Sequence, residues 1–205
     1  MSIDAPCCVA RMPLLICISG MAGTGKSTLS KKIAKRYTLQ CYSGGDALKE
    51  LAKEAGCVIT GEGWWESPAG LSFLERRVKD PQFDKEVDSK LLNYAKLGDV
   101  LLDSWTMPWL LTGGFKIWLM ASFDKRAARV AERDKMTFEQ AYAVLSEKEN
   151  QTKAIYKKLY GFNLGEDFTP FNFILDTDNL NADQVFEVLC RVIDNTVYVC
   201  QYEQV

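Results

Sequence analysis

The sequence predicts an α/β protein in which a parallel five-stranded sheet lies between two layers of helices. Two observations carry that reading. Short apolar runs of strand length alternate with helical patterns along most of the 205 residues, the order that arises when each parallel strand returns through a crossover helix. The first run, Leu14-Leu15-Ile16-Cys17-Ile18-Ser19, passes directly into Gly20-Met21-Ala22-Gly23-Thr24-Gly25-Lys26-Ser27 and then into a helical stretch. That segment reads G-x-x-x-x-G-K-S between strand and helix, the setting in which glycines turn backbone N–H groups inward around a phosphate chain.

In chain order, residues 1–12 read as a loose tail, and the domain proper is expected over 13–205. The strand at 14–19 belongs at the centre of the sheet, because a strand feeding a phosphate loop is buried on both faces. A helix over 26–36, a strand over 39–43 and a helix over 46–55 follow. The interval 56–80, with Gly56, Gly61, Gly63, Pro68 and Gly70, reads as a loop with a short helix. Pro81 starts a helix expected over 81–97, and Gly98 stops it. Strands at 100–103, 116–120 and 171–175 alternate with helices at 124–134, 137–159 and 181–197, the last capped by Asn181.

The chemistry begins at the loop. Gly20, Gly23, Thr24, Gly25, Lys26, Ser27 and Thr28 form the expected phosphate cradle, with Lys26 along the β/γ-phosphates and the Ser27 hydroxyl offered to Mg²⁺. The sequence therefore points to a P-loop NTPase fold that binds a nucleoside triphosphate, with ATP and Mg²⁺ expected. Asp103 closes an apolar strand at the sheet end where ligands sit, and is the second expected metal ligand. On the helix from 124, Arg126, Arg129 and Arg133 recur at three and four residues on one face, a candidate clamp for charge on a transferred phosphoryl group.

Composition narrows the partners. With 25 Lys and Arg against 27 Asp and Glu, the net charge of −2 gives no broad attraction to nucleic acid or anionic membrane. The seven cysteines form no C-x-x-C pair and there is no histidine, so reduced thiols in a cytoplasmic protein are expected, with Cys17 and Cys41 as core residues. No apolar run approaches a membrane span. A monomer with small-molecule partners is the simplest expectation. Trp109 and Trp118 read as core, whereas Trp64 and Trp65 pack a small subdomain or stack on a base.

Together with Ser43-Gly44-Gly45-Asp46, Asp80-Pro81-Gln82-Phe83-Asp84, Lys116-Ile117-Trp118-Leu119, the arginine helix, and Tyr156 with Tyr160-Gly161, the P-loop gives the chain a resemblance to archaeal-type cytidylate kinases. These are nucleoside monophosphate kinases related to adenylate kinase, and the likeness runs from about residue 14 to 193. The resemblance implies transfer of the ATP γ-phosphoryl to CMP or dCMP, a monophosphate-binding arm over about 44–95 and a closing lid over about 133–160. It implies catalytic roles for Lys26, Asp103, Arg129 and Arg133, and acceptor contacts from Ser43, Asp46, Lys49, Asp84, Asp88 and Lys90. Five positions where that family usually carries arginine here hold Lys49, Lys90, Lys148, Trp105 and Ile155. Lysine keeps the charge but not the planar fork that grips two phosphate oxygens. The departures leave two other readings open, a kinase for another acceptor and a nucleotide-binding protein with weak transferase activity. The absence of histidine does not count against kinase chemistry, because a phosphate acceptor is already anionic.

Overall fold

The computed structural model describes residues 13–198. Five strands, β1 (Leu15–Gly20), β2 (Gln40–Ser43), β3 (Val100–Asp103), β4 (Phe115–Met120) and β5 (Phe173–Asp176), form one sheet in the order β2-β3-β1-β4-β5. All four pairings are parallel. β1 is central, as its uninterrupted apolar run requires, and its alternating side chains feed two separate cores.

On one face Ile16 and Ile18 join Leu101, Ile117 and Leu119 beneath α1 (Lys26–Tyr37) and α8 (Ala182–Ile193), which contribute Leu29, Ile33, Val185, Leu189 and Ile193. On the other, Cys17, Val100 and Leu102 meet Leu48 and Leu51 of α2 (Gly44–Glu54), Val87 and Leu91 of α4 (Gln82–Ala95), and Met107 of the short α5 (Met107–Leu110). The architecture is therefore three-layered, α/β/α. Two more helices, α6 (Phe123–Asp134) and α7 (Phe138–Tyr160), pack on each other through Ala127, Val130, Ala141 and Leu145. Further along, α7 meets Trp118 and Phe162 through Ile155 and Tyr156.

The largest difference from the expected pattern is α3 (Pro68–Lys79), a twelve-residue helix in the interval read as a loop with a short helix. A 3₁₀ turn over Glu62–Glu66 precedes it. The start signal is present: the Ser67 hydroxyl accepts the Gly70 N–H and Pro68 occupies the first turn. Gly70, which weighed toward a loop, serves packing, since a Cβ there would lie 2.1 Å from the Trp64 carbonyl oxygen. Elsewhere the differences are small. α2 begins at Gly44, two residues early; β5 sits at 173–176, because Asn172 turns to accept the Lys116 N–H; and α8 stops at Ile193 before a π-helical turn over Asp194–Tyr198.

Cys41 is exposed on the edge strand β2, not buried in the core as expected, whereas Cys17 is fully buried on central β1. Trp118 is core, but Trp109 is only half-buried and donates its indole N–H to Asp167. Trp64 is fully buried, with its N–H on the Val58 carbonyl, so it packs the 44–95 region. The tail at 1–12 lies outside the described residues. No helix among those described is long and apolar enough to cross a membrane.

Candidate active site

β1 ends in the phosphate loop because two of its glycines hold backbone shapes that side chains resist. Gly20, at φ +148°, lies so close to β4 that a Cβ would stand 2.4 Å from the Leu119 carbonyl oxygen. Gly25, at φ +86°, precedes α1 without any side-chain cap, which leaves the first N–H groups of α1 open toward a cavity of about 680 Å³. Gly23, Gly25, Lys26, Ser27 and Thr28 line that cavity. Gly20 and Thr24 instead shape the loop from behind, Thr24 being buried with its hydroxyl on the Met21 carbonyl at 2.9 Å.

The Lys26 ammonium lies 3.3 Å from the Met21 carbonyl oxygen and over the Trp105 ring, 5.4 Å from its centre. Burial lowers its pKa to about 8, against the attraction of Asp103. At the end of β3, Asp103 accepts the Ser27 hydroxyl at 2.6 Å. Desolvation raises the Asp103 pKa, opposed by Lys26 and Ser27. A hydroxyl and a buried carboxylate meeting beside the loop are the hard oxygen donors that Mg²⁺ takes. The structure thus brings Lys26, Ser27 and Asp103 together at the loop, with Gly20 and Thr24 behind it.

Trp105 stands where the resemblance leads one to expect arginine. Its indole N–H donates to the Gly20 carbonyl at 2.6 Å, so it braces the phosphate loop instead of contributing charge. Ile155 is buried in the aromatic cluster of Tyr156, Phe162 and Trp118. Of the arginine face on α6, only two members reach the cavity. Arg129 lines it while donating to the Thr177 carbonyl at 2.9 Å, and Arg133 lines it while held by Glu66 and Asp134. Arg126 turns away: it is buried against Glu149 and donates to the Ala22 carbonyl, which ties α6 to α7 and to the loop.

The far half of the cavity is assembled from α2, α3, α4 and α7. Ser43 caps α2 by accepting the Asp46 N–H, and both residues line the cavity. Lys49 also reaches it and forms no ion pair among the described residues. Asp84 is buried and receives a two-pronged contact from Arg77, Nη2 at 2.6 Å and Nε at 3.1 Å. Asp88 accepts the hydroxyls of Thr106 and Tyr160, each at 2.5 Å, and burial raises its pKa to about 6. Lys90 is not in the cavity; it lies one turn beyond Glu86 on α4, 3.5 Å from that carboxylate. Lys148 is there, but buried and paired with Glu66, and desolvation lowers its pKa.

Three of these groups were not identified from sequence. Arg77 and Glu66 stand on or just before α3, the helix whose Ser67-Pro68 start and Phe73/Leu74/Arg77 spacing were the available signals. Tyr156 contributed only to the resemblance, and its role as a neighbour of Arg77 needed the fold.

A three-layer sheet, a glycine-turned loop at the end of its central strand, and a Lys–Ser–Asp cluster at that loop define a P-loop NTPase with the compact architecture of small-molecule kinases. The fold is similar to that of an uncharacterised protein from Eubacterium ventriosum, at TM-score 0.63 and 18% identity over 89% of this chain and 98% of that one. It is also similar to shikimate kinase from Bacteroides thetaiotaomicron, at TM-score 0.54 and 16% identity over 88% and 96%. In sequence, the cytidylate kinase-like family matches residues 15–179. The cytidylate kinase of Pyrococcus horikoshii is 32% identical over 183 residues, 89% of each chain. That of Methanocaldococcus jannaschii is 29% identical over 187 residues, 89% of this chain and 98% of its own. The chain belongs to the cytidylate kinase-like family, a family of phosphotransferases.

Proposed function

We propose that the protein transfers the γ-phosphoryl group of ATP to CMP or dCMP. The observation that carries this is the continuity of one cavity, from the Lys26 and Ser27–Asp103 cradle at one end to Lys49, Asp84 and Asp88 at the other. A cavity that reaches both clusters offers a place for a donor and an acceptor, in a chain whose relatives are named cytidylate kinase.

On this reading the α1 N-terminus and the loop N–H groups bind the donor phosphates, and Lys26 neutralises charge at the transferred group. Ser27 and Asp103 would hold Mg²⁺, which would supply positive charge against that of the phosphates. Arg129 lies beside the loop and stabilises the transferring phosphoryl, joined by Arg133 once nucleotide charge competes with Glu66 for it. Lys49 attracts the acceptor phosphate, with Ser43 and Asp46 beside it, while Asp84 and Asp88 face the nucleoside. No general base is needed, because the attacking oxygen is ionised; alignment and charge neutralisation do the work.

The segment 44–95 acts as the acceptor arm and 133–160 as the lid that excludes water. Hydrogen exchange across 133–160 is expected to slow when a bisubstrate analogue binds, and unchanged exchange would count against a lid. The protein is read as a cytoplasmic monomer acting on small nucleotides. The deciding assay measures ADP release with CMP, dCMP, UMP, AMP and small alcohols as acceptors. Turnover confined to an alcohol, or absent with every acceptor, would overturn the proposal.

A further inference from the structure

Lys26 forms no ion pair among the described residues. Its ammonium lies 3.3 Å from the Met21 carbonyl oxygen and 5.4 Å from the centre of the Trp105 ring, and both side chains line the cavity. That ring is itself fixed. Trp105 follows the end of β3, next to the end of β1, and the Ser104 N–H extends the ladder between these two strands to the Ile18 carbonyl. This placement lets the indole N–H donate to the Gly20 carbonyl at 2.6 Å, although the two residues are 85 positions apart. On α7, Tyr156 meets the ring at 79° with centroids 6.4 Å apart. The indole therefore hangs by its N–H on the first glycine of the phosphate loop, rests against a buried tyrosine, and leaves a face for the ammonium.

An aromatic face suits a charge that must be handed over. A contacting carboxylate would cancel the ammonium and would have to be displaced by each incoming phosphate. The negative face of an indole attracts a cation more weakly than a polyphosphate does and leaves its charge intact. Without any such support the lysine stem would sample several rotamers, and its alignment would have to be found again in every turnover. Arginine, which the resemblance leads one to expect at 105, would set a like charge beside Lys26 and offer no face of this kind.

Resting on the reading of Lys26 as the cation at the transferred phosphoryl group, we propose that Trp105 is a positioning residue for Lys26, its ring face presenting the ammonium to the incoming phosphates. The hydrogen bond to Gly20 ties that face to the loop it serves. Position 105 thus exchanges a charge of its own for control over the charge beside it, and it acts through Lys26, not on the reacting atoms.

A double-mutant cycle tests this. Trp105→Phe and Trp105→Leu both lack the indole N–H, and only the first keeps an aromatic face, so the ratio of their kcat values reads the face alone. With ATP and CMP saturating, Trp105→Leu is expected to turn over about fivefold more slowly than Trp105→Phe. In a Lys26→Ala background the two should agree within about twofold, because the face then has no cation to hold. The KM for CMP should not differ between Trp105→Phe and Trp105→Leu, whereas a general loosening of the cavity would move it. Equal kcat for Trp105→Phe and Trp105→Leu, or a ratio that persists in the Lys26→Ala background, would overturn the inference. A second measurement needs no change at 105 and no turnover. Lys26→Met keeps the stem but removes the cation from the ring, so the ligand-free protein should differ from the parent in its tryptophan absorption band. An identical band would overturn the inference even if neither Trp105→Phe nor Trp105→Leu folds. A parent without phosphoryl transfer to any acceptor would overturn the reading of the site, while the absorption band still decides whether Trp105 holds Lys26.

Discussion

The two halves of the cavity handle charge in opposite ways. At the donor end, Lys26 has no carboxylate in contact among the described residues and lies against a carbonyl and an aromatic face, so its charge is available to phosphates. In the far half the buried cations are committed: Arg77 to Asp84 and Lys148 to Glu66, with half-exposed Arg133 shared between Glu66 and Asp134. A buried charge without a partner costs several kcal/mol. The donor end accepts part of that cost, visible in the lowered Lys26 pKa, because a polyphosphate provides the counter-charge on binding. The buried cations of the acceptor end are neutralised in advance, while Lys49 lines it without an ion pair among the described residues.

The contrast can be broken most severely at Lys26. Lys26→Ala removes the charge supplied by the loop itself, and kcat should fall at least about 100-fold, about 3 kcal/mol of transition-state stabilisation. Steady-state turnover at saturating ATP and Mg²⁺ reads this, while calorimetric binding of CMP should stay close to that of the parent. Near-normal turnover would mean that the loop has been misassigned.

Next in size is the far end's own neutrality. Glu66→Gln leaves the buried Lys148 ammonium without its carboxylate, so unfolding stability should drop by about 3 kcal/mol in urea. Adding Lys148→Met should restore most of the loss, since no unpaired charge then remains. A single variant as stable as the parent would show that the pair is not structural.

Restoring a guanidinium group should sharpen the acceptor end. With Lys49→Arg, the KM for CMP is expected to fall about tenfold or kcat to rise, as a two-pronged contact to the phosphate is regained. A parent enzyme that already binds CMP tightly and turns over fast would reject the idea that lysine at this position weakens the site.

The smallest effect concerns pH. Lys26 titrates near 8 in the free protein, and its charged form is the one that binds phosphates, so ATP affinity should be full below that value and decline as pH rises through it. Between pH 7 and 8.5 the Kd for ATP should rise about fourfold. Lys26→Ala should lack this slope in direct binding measurements; a slope that persists would assign it to another group.

The same contrast separates what could be read from the chain from what could not. The donor end is a contiguous stretch whose chemistry depends on backbone conformation, and glycine spacing reports that directly. Asp103 was legible because a strand-terminal carboxylate beside a phosphate loop has few other uses. At the acceptor end, Asp84 and Asp88 came from resemblance, and nothing local distinguished Lys90, which faces Glu86, from Lys49, which faces the cavity. Arg126 and Arg133 share one spacing on α6 and differ only in what packs opposite them.

By itself, the sequence determined the alternation of strands and helices, the centrality of β1 and the phosphate loop, because periodicity and backbone geometry are encoded within a few neighbouring residues. Tertiary structure decided which cations stay open and which are cancelled. Glu66 meets Lys148 across 82 positions, and Arg77 meets the Tyr156 hydroxyl across 79. Such pairings depend on how α3 docks against α7, a matter of side-chain packing and desolvation between distant segments that no local pattern records.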